Sequence, residues 1–172
     1  MNRRHLLVTA LGLGLTTNAV GSPVRLPALS AADHAWLNTA PLGAAELEGH
    51  PVLVEFWTHG CSNCLNTLPW MKLVYERYAP RGLRVIAAHT PEFPSERGPA
   101  AIRAAVERLG IRYPVLLDPD GAYWRALDNR YWPAFYLFDA AHALSATRIG
   151  ELHAGEASAD EFERAIQRLV SA

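Results

Sequence analysis

Cysteine is almost missing from this chain: 172 residues carry two, alongside only two methionines. That scarcity excludes a small scaffold stapled by several disulfides and a four-cysteine zinc site. None of the seven histidines stands in an H-x3-5-H pair, so a Cys2His2 site lacks its second half. An excess of one charge is missing too. Sixteen Lys and Arg against seventeen Asp and Glu leave a formal net charge of −1, with the signs interspersed, which points away from nucleic acid and from an anionic membrane surface. No internal repeat or long single-residue tract breaks the chain. The apolar run at residues 6–20 is about 15 residues long and holds Thr9, Thr16, Thr17 and Asn18, short and polar for a stable membrane span.

That run follows Arg3 and Arg4 and ends in the small residues Ala19, Gly21 and Ser22, the layout of a cleavable export signal. The Arg pair followed by x-Leu-Leu resembles a twin-arginine signal, although secretory signals in general also begin with basic residues. The expected organisation is a signal peptide over 1–21, an Ala/Pro-rich linker or arm over 22–42, and one domain over 43–172, which is enough chain to bury a sizeable core. The expected location is periplasmic or otherwise extracytoplasmic.

The two cysteines stand together as Cys61-Ser62-Asn63-Cys64, after the apolar run 51–57 and ahead of a helical pattern. A Cys-x-x-Cys pair that opens a helix after a strand is the local layout of a dithiol redox site. A thiol attacks once it has lost its proton, and the first turn of a helix offers unpaired amide hydrogens and the positive end of the helix dipole, which favour the thiolate. Cys61 is therefore expected to attack. Cys64, one helical turn on, is expected to resolve the mixed disulfide by closing the internal Cys61–Cys64 bond. No metal or organic cofactor enters that exchange. The competing structural readings are weaker. Half a zinc site lacks further ligands, and an inert disulfide closing four residues constrains little.

Glu55 interrupts the apolar run between Leu53 and Trp57, which share its face of the strand. Its carboxyl is expected to be buried, with a raised pKa suited to moving protons near neutrality. Pro69 falls inside the helix and should bend it. Trp132-Pro133, ahead of an apolar strand, is a candidate cis peptide. Patterning predicts strands at 51–57, 83–89, 113–117, 134–139 and 144–149, and helices at 61–78, 99–109, 122–126 and 159–170. Alternating β and α gives a parallel-cored sheet, made mixed by a final hairpin. Ala35-Trp36-Leu37 is expected to pin the arm to the core.

The segment from Val54 to Pro69 resembles the active-site signature of the thioredoxin superfamily in its TlpA/ResA-like branch. Glu55, six residues before Cys61, falls on the buried acid of that family; Pro69, five after Cys64, on its helix proline; Pro133 on its cis-proline. Phe56-Trp57-Thr58, the stretch His89-Thr90-Pro91-Glu92-Phe93 and Asn129-Arg130-Tyr131-Trp132-Pro133-Ala134 are similar to the thioredoxin-like domain of DipZ-type membrane reductases. The resemblance implies an α/β thioredoxin fold with a strand-helix insertion, and an extracytoplasmic thiol-disulfide oxidoreductase, more reducing than oxidising. It implies Cys61, Cys64, Glu55 and Pro133 as catalytic residues, and Trp57, Trp132 and Pro133 as the substrate face, with Trp132 pairing a bound chain by strand addition. Its partners would be protein disulfides or dithiols and a membrane electron donor of the CcdA/DsbD type, with the chain itself a monomer. Gly60 stands where many members have Trp, and Ser62-Asn63 matches neither the Gly-Pro of reducing members nor the Pro-His of strong oxidants. His59 is a candidate cation beside the Cys61 thiolate. Two other classes share features. A thiol peroxidase of the peroxiredoxin type would use Cys61 activated by Thr58, but wants a proline where Val54 stands. A Sco-like copper protein would want one more residue between the cysteines.

Overall fold

The computed structural model describes residues 24–29 and 34–171, so the expected export segment at 1–21 lies outside the described residues. Along the chain run β1 (Ala35–Leu37), α1 (Ala44–Leu47), β2 (Val52–Trp57), α2 (Ser62–Tyr78), β3 (Arg84–His89) and α3 (Pro99–Arg108). They are followed by β4 (Val115–Leu117), α4 (Ala122–Ala126), β5 (Ala134–Phe138), β6 (Leu144–Ile149) and α5 (Ala157–Val170), with 3-10 turns at Ala79–Arg81 and Pro94–Glu96. The strands form one sheet in the order β1-β4-β3-β2-β5-β6. β2 pairs parallel with β3 and antiparallel with β5, and β5 pairs antiparallel with β6. This is the mixed sheet with flanking helices of a thioredoxin-like fold, and β4, between α3 and α4 in sequence, supplies the inserted strand.

β2 is central, and every residue of it is buried. Its side chains alternate between the two faces. Leu53 and Trp57 join the cluster built by α2 and α5 with Trp70, Met71, Val74, Phe135 and Ile166. Val52, Val54 and Phe56 join the opposite cluster with Leu47, Ile86, Tyr123 and Phe138. Each such side chain removed from water contributes about 1.5–3 kcal/mol. Position 55 therefore projects toward α2, into an apolar layer. β6 shows the contrasting pattern of an edge strand, buried on alternate residues only.

The expected elements lie within two residues of those observed, with two additions. Ala35–Leu37 holds the arm to the core as a strand, pairing antiparallel with β4 and burying Leu37; three residues are too few for a periodic signal to show the strand. α1 is a single turn, closed by Glu46, which accepts from the Gly43 amide at 2.8 Å. α2 runs through Pro69 without interruption over 17 residues.

Candidate active site

β2 ends at Trp57, and the chain turns through Thr58-His59-Gly60 into α2, with the Cys61 amide donating to Thr58 O at 3.3 Å. Cys61 is the N-cap of α2, in an extended conformation. Its sulfur accepts the Cys64 amide at 3.2 Å and the Cys64 thiol at 2.6 Å. Both residues are free thiols. Cys61 is half-buried and reachable, whereas Cys64 is fully buried. Burial first, and then the hydrogen bond to Cys61, holds the Cys64 thiol far above its ordinary range. One sulfur faces solvent and the other waits beneath it.

Glu55 is fully buried, and neither carboxyl oxygen has a hydrogen-bond partner among the described residues. Its strand neighbours explain this: Ala87 on β3 and Phe135 on β5 stand opposite it, and neither side chain can donate. Burial alone raises the Glu55 pKa to about 8. Tyr113 lies in the same buried cluster as Cys64, its hydroxyl without a partner among the described residues. Its phenol is raised well above the usual range, by burial first and then by Glu55 and Cys64.

A second polar group sits on the other side of the dithiol loop. Thr58 Oγ1 donates to Glu96 Oε2 at 2.8 Å, and the same oxygen accepts the amides of Glu92 at 2.8 Å and Phe93 at 3.3 Å. Burial opposes the charge of Glu96, but these three donors and the His59 charge outweigh it and hold its pKa below the ordinary value. His89 Nε2 lies 3.3 Å from Thr58 Oγ1 and accepts the His59 amide at 3.3 Å. The His59 ring stacks on His89 at 5.0 Å between centroids, with Nδ1 2.9 Å from Nε2. Burial first, and then the His59 charge, lowers His89 to about 4, so its ring is neutral at pH 7.

The expected substrate face divides. The Trp132-Pro133 peptide is cis. Trp132 is half-buried, its ring 4.1 Å from that of Trp124 and its Nε1 donating to Thr90 O at 3.0 Å. Beside this pair, Thr90 and Pro91 border a cavity of about 180 Å³. Pro133 is buried and its carbonyl accepts the Gly150 amide at 2.9 Å, while among the described residues no loop hydrogen bond engages the Trp132 backbone. Trp57 is fully buried, edge-on to His89 at 5.1 Å. It backs the site from inside and offers no surface to a partner, because its position on β2 points toward α2. The Thr58 hydroxyl, which the peroxidase alternative assigns to Cys61, is directed at Glu96 instead.

Sequence reasoning placed no chemistry on Glu96, Tyr113 or His89. Glu96 follows a Pro-Ser dipeptide in a loop and carries no local sign of burial. The one available hint was its complement, the glycine before Cys61.

The chain matches the AhpC/TSA family over residues 25–147. It belongs to that family. Protein DipZ of Mycobacterium tuberculosis is 40% identical to this AhpC/TSA chain over 119 residues, 67% of the chain and 17% of DipZ. The match thus spans about a sixth of that relative's length. Thiol-disulfide oxidoreductase YkuV of Bacillus subtilis is 27% identical over 139 residues, 81% of the chain and 90% of YkuV. Among solved structures, a thioredoxin-like protein in its oxidised form superposes with a TM-score of 0.71 at 27% identity, covering 87% of this chain and 96% of the other.

Proposed function

We propose that this chain is an extracytoplasmic thiol-disulfide oxidoreductase that reduces protein disulfides. The observation that carries the reading is the pair itself: a half-exposed Cys61 capping α2, with its sulfur 2.6 Å from the buried thiol of Cys64. The Cys61 thiolate attacks one sulfur of a substrate disulfide, forming a mixed disulfide and expelling the other substrate sulfur, which takes up a proton. Cys64 then loses its proton and attacks Cys61 Sγ, closing the internal disulfide and releasing the second substrate thiol. Two electrons pass to the substrate, and a separate donor of the CcdA/DsbD type restores the dithiol.

Glu55 is the base for the second step. A carboxyl with a pKa of about 8 keeps a usable share ionised near neutrality and is basic enough to take a thiol proton. The substrate chain pairs with the backbone of Trp132 ahead of Pro133, as strand addition requires, while the Trp132 ring, braced on Trp124, limits which chains fit. Residues 1–21 direct export; among the described residues no helix is long and apolar enough to cross a membrane.

Reduction of a model protein disulfide by the purified protein tests this reading. Cys61→Ser abolishes it, and Cys64→Ser accumulates mixed disulfides with substrate. Exchange that survives Cys61→Ser, or peroxide consumption that outpaces disulfide reduction and persists in Cys64→Ser, contradicts it and favours a peroxidase. Cell fractionation with N-terminal sequencing tests export: a mature protein beginning near residue 22 outside the cytoplasm supports it, and an intact Met1 in the cytoplasm overturns it.

A further inference from the structure

Gly60, the residue immediately before Cys61, has no room for a side chain. A Cβ built on it would lie 1.8 Å from Glu96 Oε1 and 3.0 Å from Glu96 Cδ. The obstacle is a fixed group. Oε2 of the same carboxylate is tied by Thr58 Oγ1 and the amides of Glu92 and Phe93, so Oε1 cannot swing aside without breaking those bonds. Glu96 is 5% exposed, and it arrives from the turn Pro94–Glu96, far along the chain from the dithiol. A charged carboxylate accepting three donors is among the stronger hydrogen-bonding arrangements in proteins. Through Thr58 it also reaches His89, whose ring positions that of His59.

We propose that Glu96 is a positioning residue of the dithiol: its carboxylate clamps the Thr58–Gly60 turn that leads into Cys61, and its fixed negative charge on that turn favours the disulfide. The inference rests on the oxidoreductase reading above and deepens it. Strong oxidants of this chemistry owe their potential to a stabilised reduced form, in which the attacking thiolate is favoured by its surroundings. A fixed anion acts in the opposite sense. It opposes a further negative charge at the dithiol loop and makes the couple more reducing. The other titratable groups around the loop are Glu55 and Tyr113 on the Cys64 side and His59 and His89 between Glu96 and the turn. At pH 7 Glu55 is mostly protonated and His89 neutral. Gly60 is then a requirement of the clamp, since any larger residue displaces the carboxylate.

Two substitutions separate the parts. Glu96→Gln keeps the shape and removes the charge. Its equilibrium with a defined thiol buffer is expected to shift about tenfold toward the dithiol, close to 30 mV. Gly60→Ala should destabilise the wild type and shift the couple in the same direction, yet add little in a Glu96→Ala background, where the space is open. A Glu96→Gln couple within a factor of two of wild type overturns the electrostatic role. Equal costs of Gly60→Ala in both backgrounds, read by unfolding and so independent of any activity, overturn the clamp. Absence of any reversible two-electron couple in the wild type is a different failure, that of the oxidoreductase reading, and removes this inference with it.

Discussion

Two glutamates are buried within reach of one dithiol, and their environments drive them apart. Glu55 sits in the middle of the sheet with an alanine and a phenylalanine on the flanking strands, finds no donor, and takes a pKa of about 8. Glu96 is nearly as enclosed but meets a hydroxyl and two amides, and stays ionised. Burial sets the cost of a charge; the donors around it decide whether that cost is met. The contrast suits two roles. A group that moves protons near neutrality must be able to exist in both forms, as an acid without partners does, whereas a group that holds a loop and a field in place must not titrate there, as an acid saturated with donors does not.

Glu55→Gln is expected to have the largest effect on stability. The folded protein keeps the Glu55 proton up to about pH 8, while the unfolded chain releases it near 4.5, so wild-type stability falls as pH rises across that interval. At pH 7 the amide should be more stable than wild type by about 3 kcal/mol, and its exchange should be slowed relative to wild type more near neutrality than at high pH. His89, lowered to about 4, contributes the opposite slope up to about 6.5, in both proteins alike, so their difference isolates Glu55. Denaturant titrations at pH 5, 7 and 9 measure this, and equal stability of the two proteins at pH 7 would mean that Glu55 ionises freely.

Glu96→Ala should move stability the other way. It strands the Thr58 hydroxyl and two amides and is expected to cost about 2 kcal/mol, where denaturation at pH 7 showing no loss would place the carboxylate in solvent. Thr58→Val removes one of the three donors and should cost about 1 kcal/mol, by the same assay, with Glu96 shifting toward the usual carboxyl range. The smallest effect expected is the one that blurs the contrast. Ala87→Ser puts a donor on the strand beside Glu55 and should bring its pKa down toward the ordinary range, followed by the carboxyl infrared band against pH. A band unmoved by the hydroxyl would show that burial, and not the missing donor, fixes Glu55.

The dithiol, its helix and the buried acid were legible because each leaves a local mark. Two cysteines three residues apart after an apolar strand locate the N-cap, and a carboxylate inside a six-residue buried run has nowhere to go but the core. The sheet was legible for the same reason, since β2, β3 and β5 are continuous apolar stretches between turn residues. β1 was not, because its three residues owe their conformation to pairing with β4. Glu96 was not, because its burial is made by residues 58, 92 and 93 converging in space. Trp57, which the resemblance assigned to the substrate face, is fully buried, as its alternation with Leu53 and Glu55 along a strand buried on both faces requires.

The midpoint potential of the Cys61–Cys64 couple against defined thiol buffers tests the account most directly. A reversible two-electron couple near about −270 mV, where reducing thioredoxin lies, is the predicted result. A value near about −120 mV, typical of proteins that insert disulfides, would contradict it.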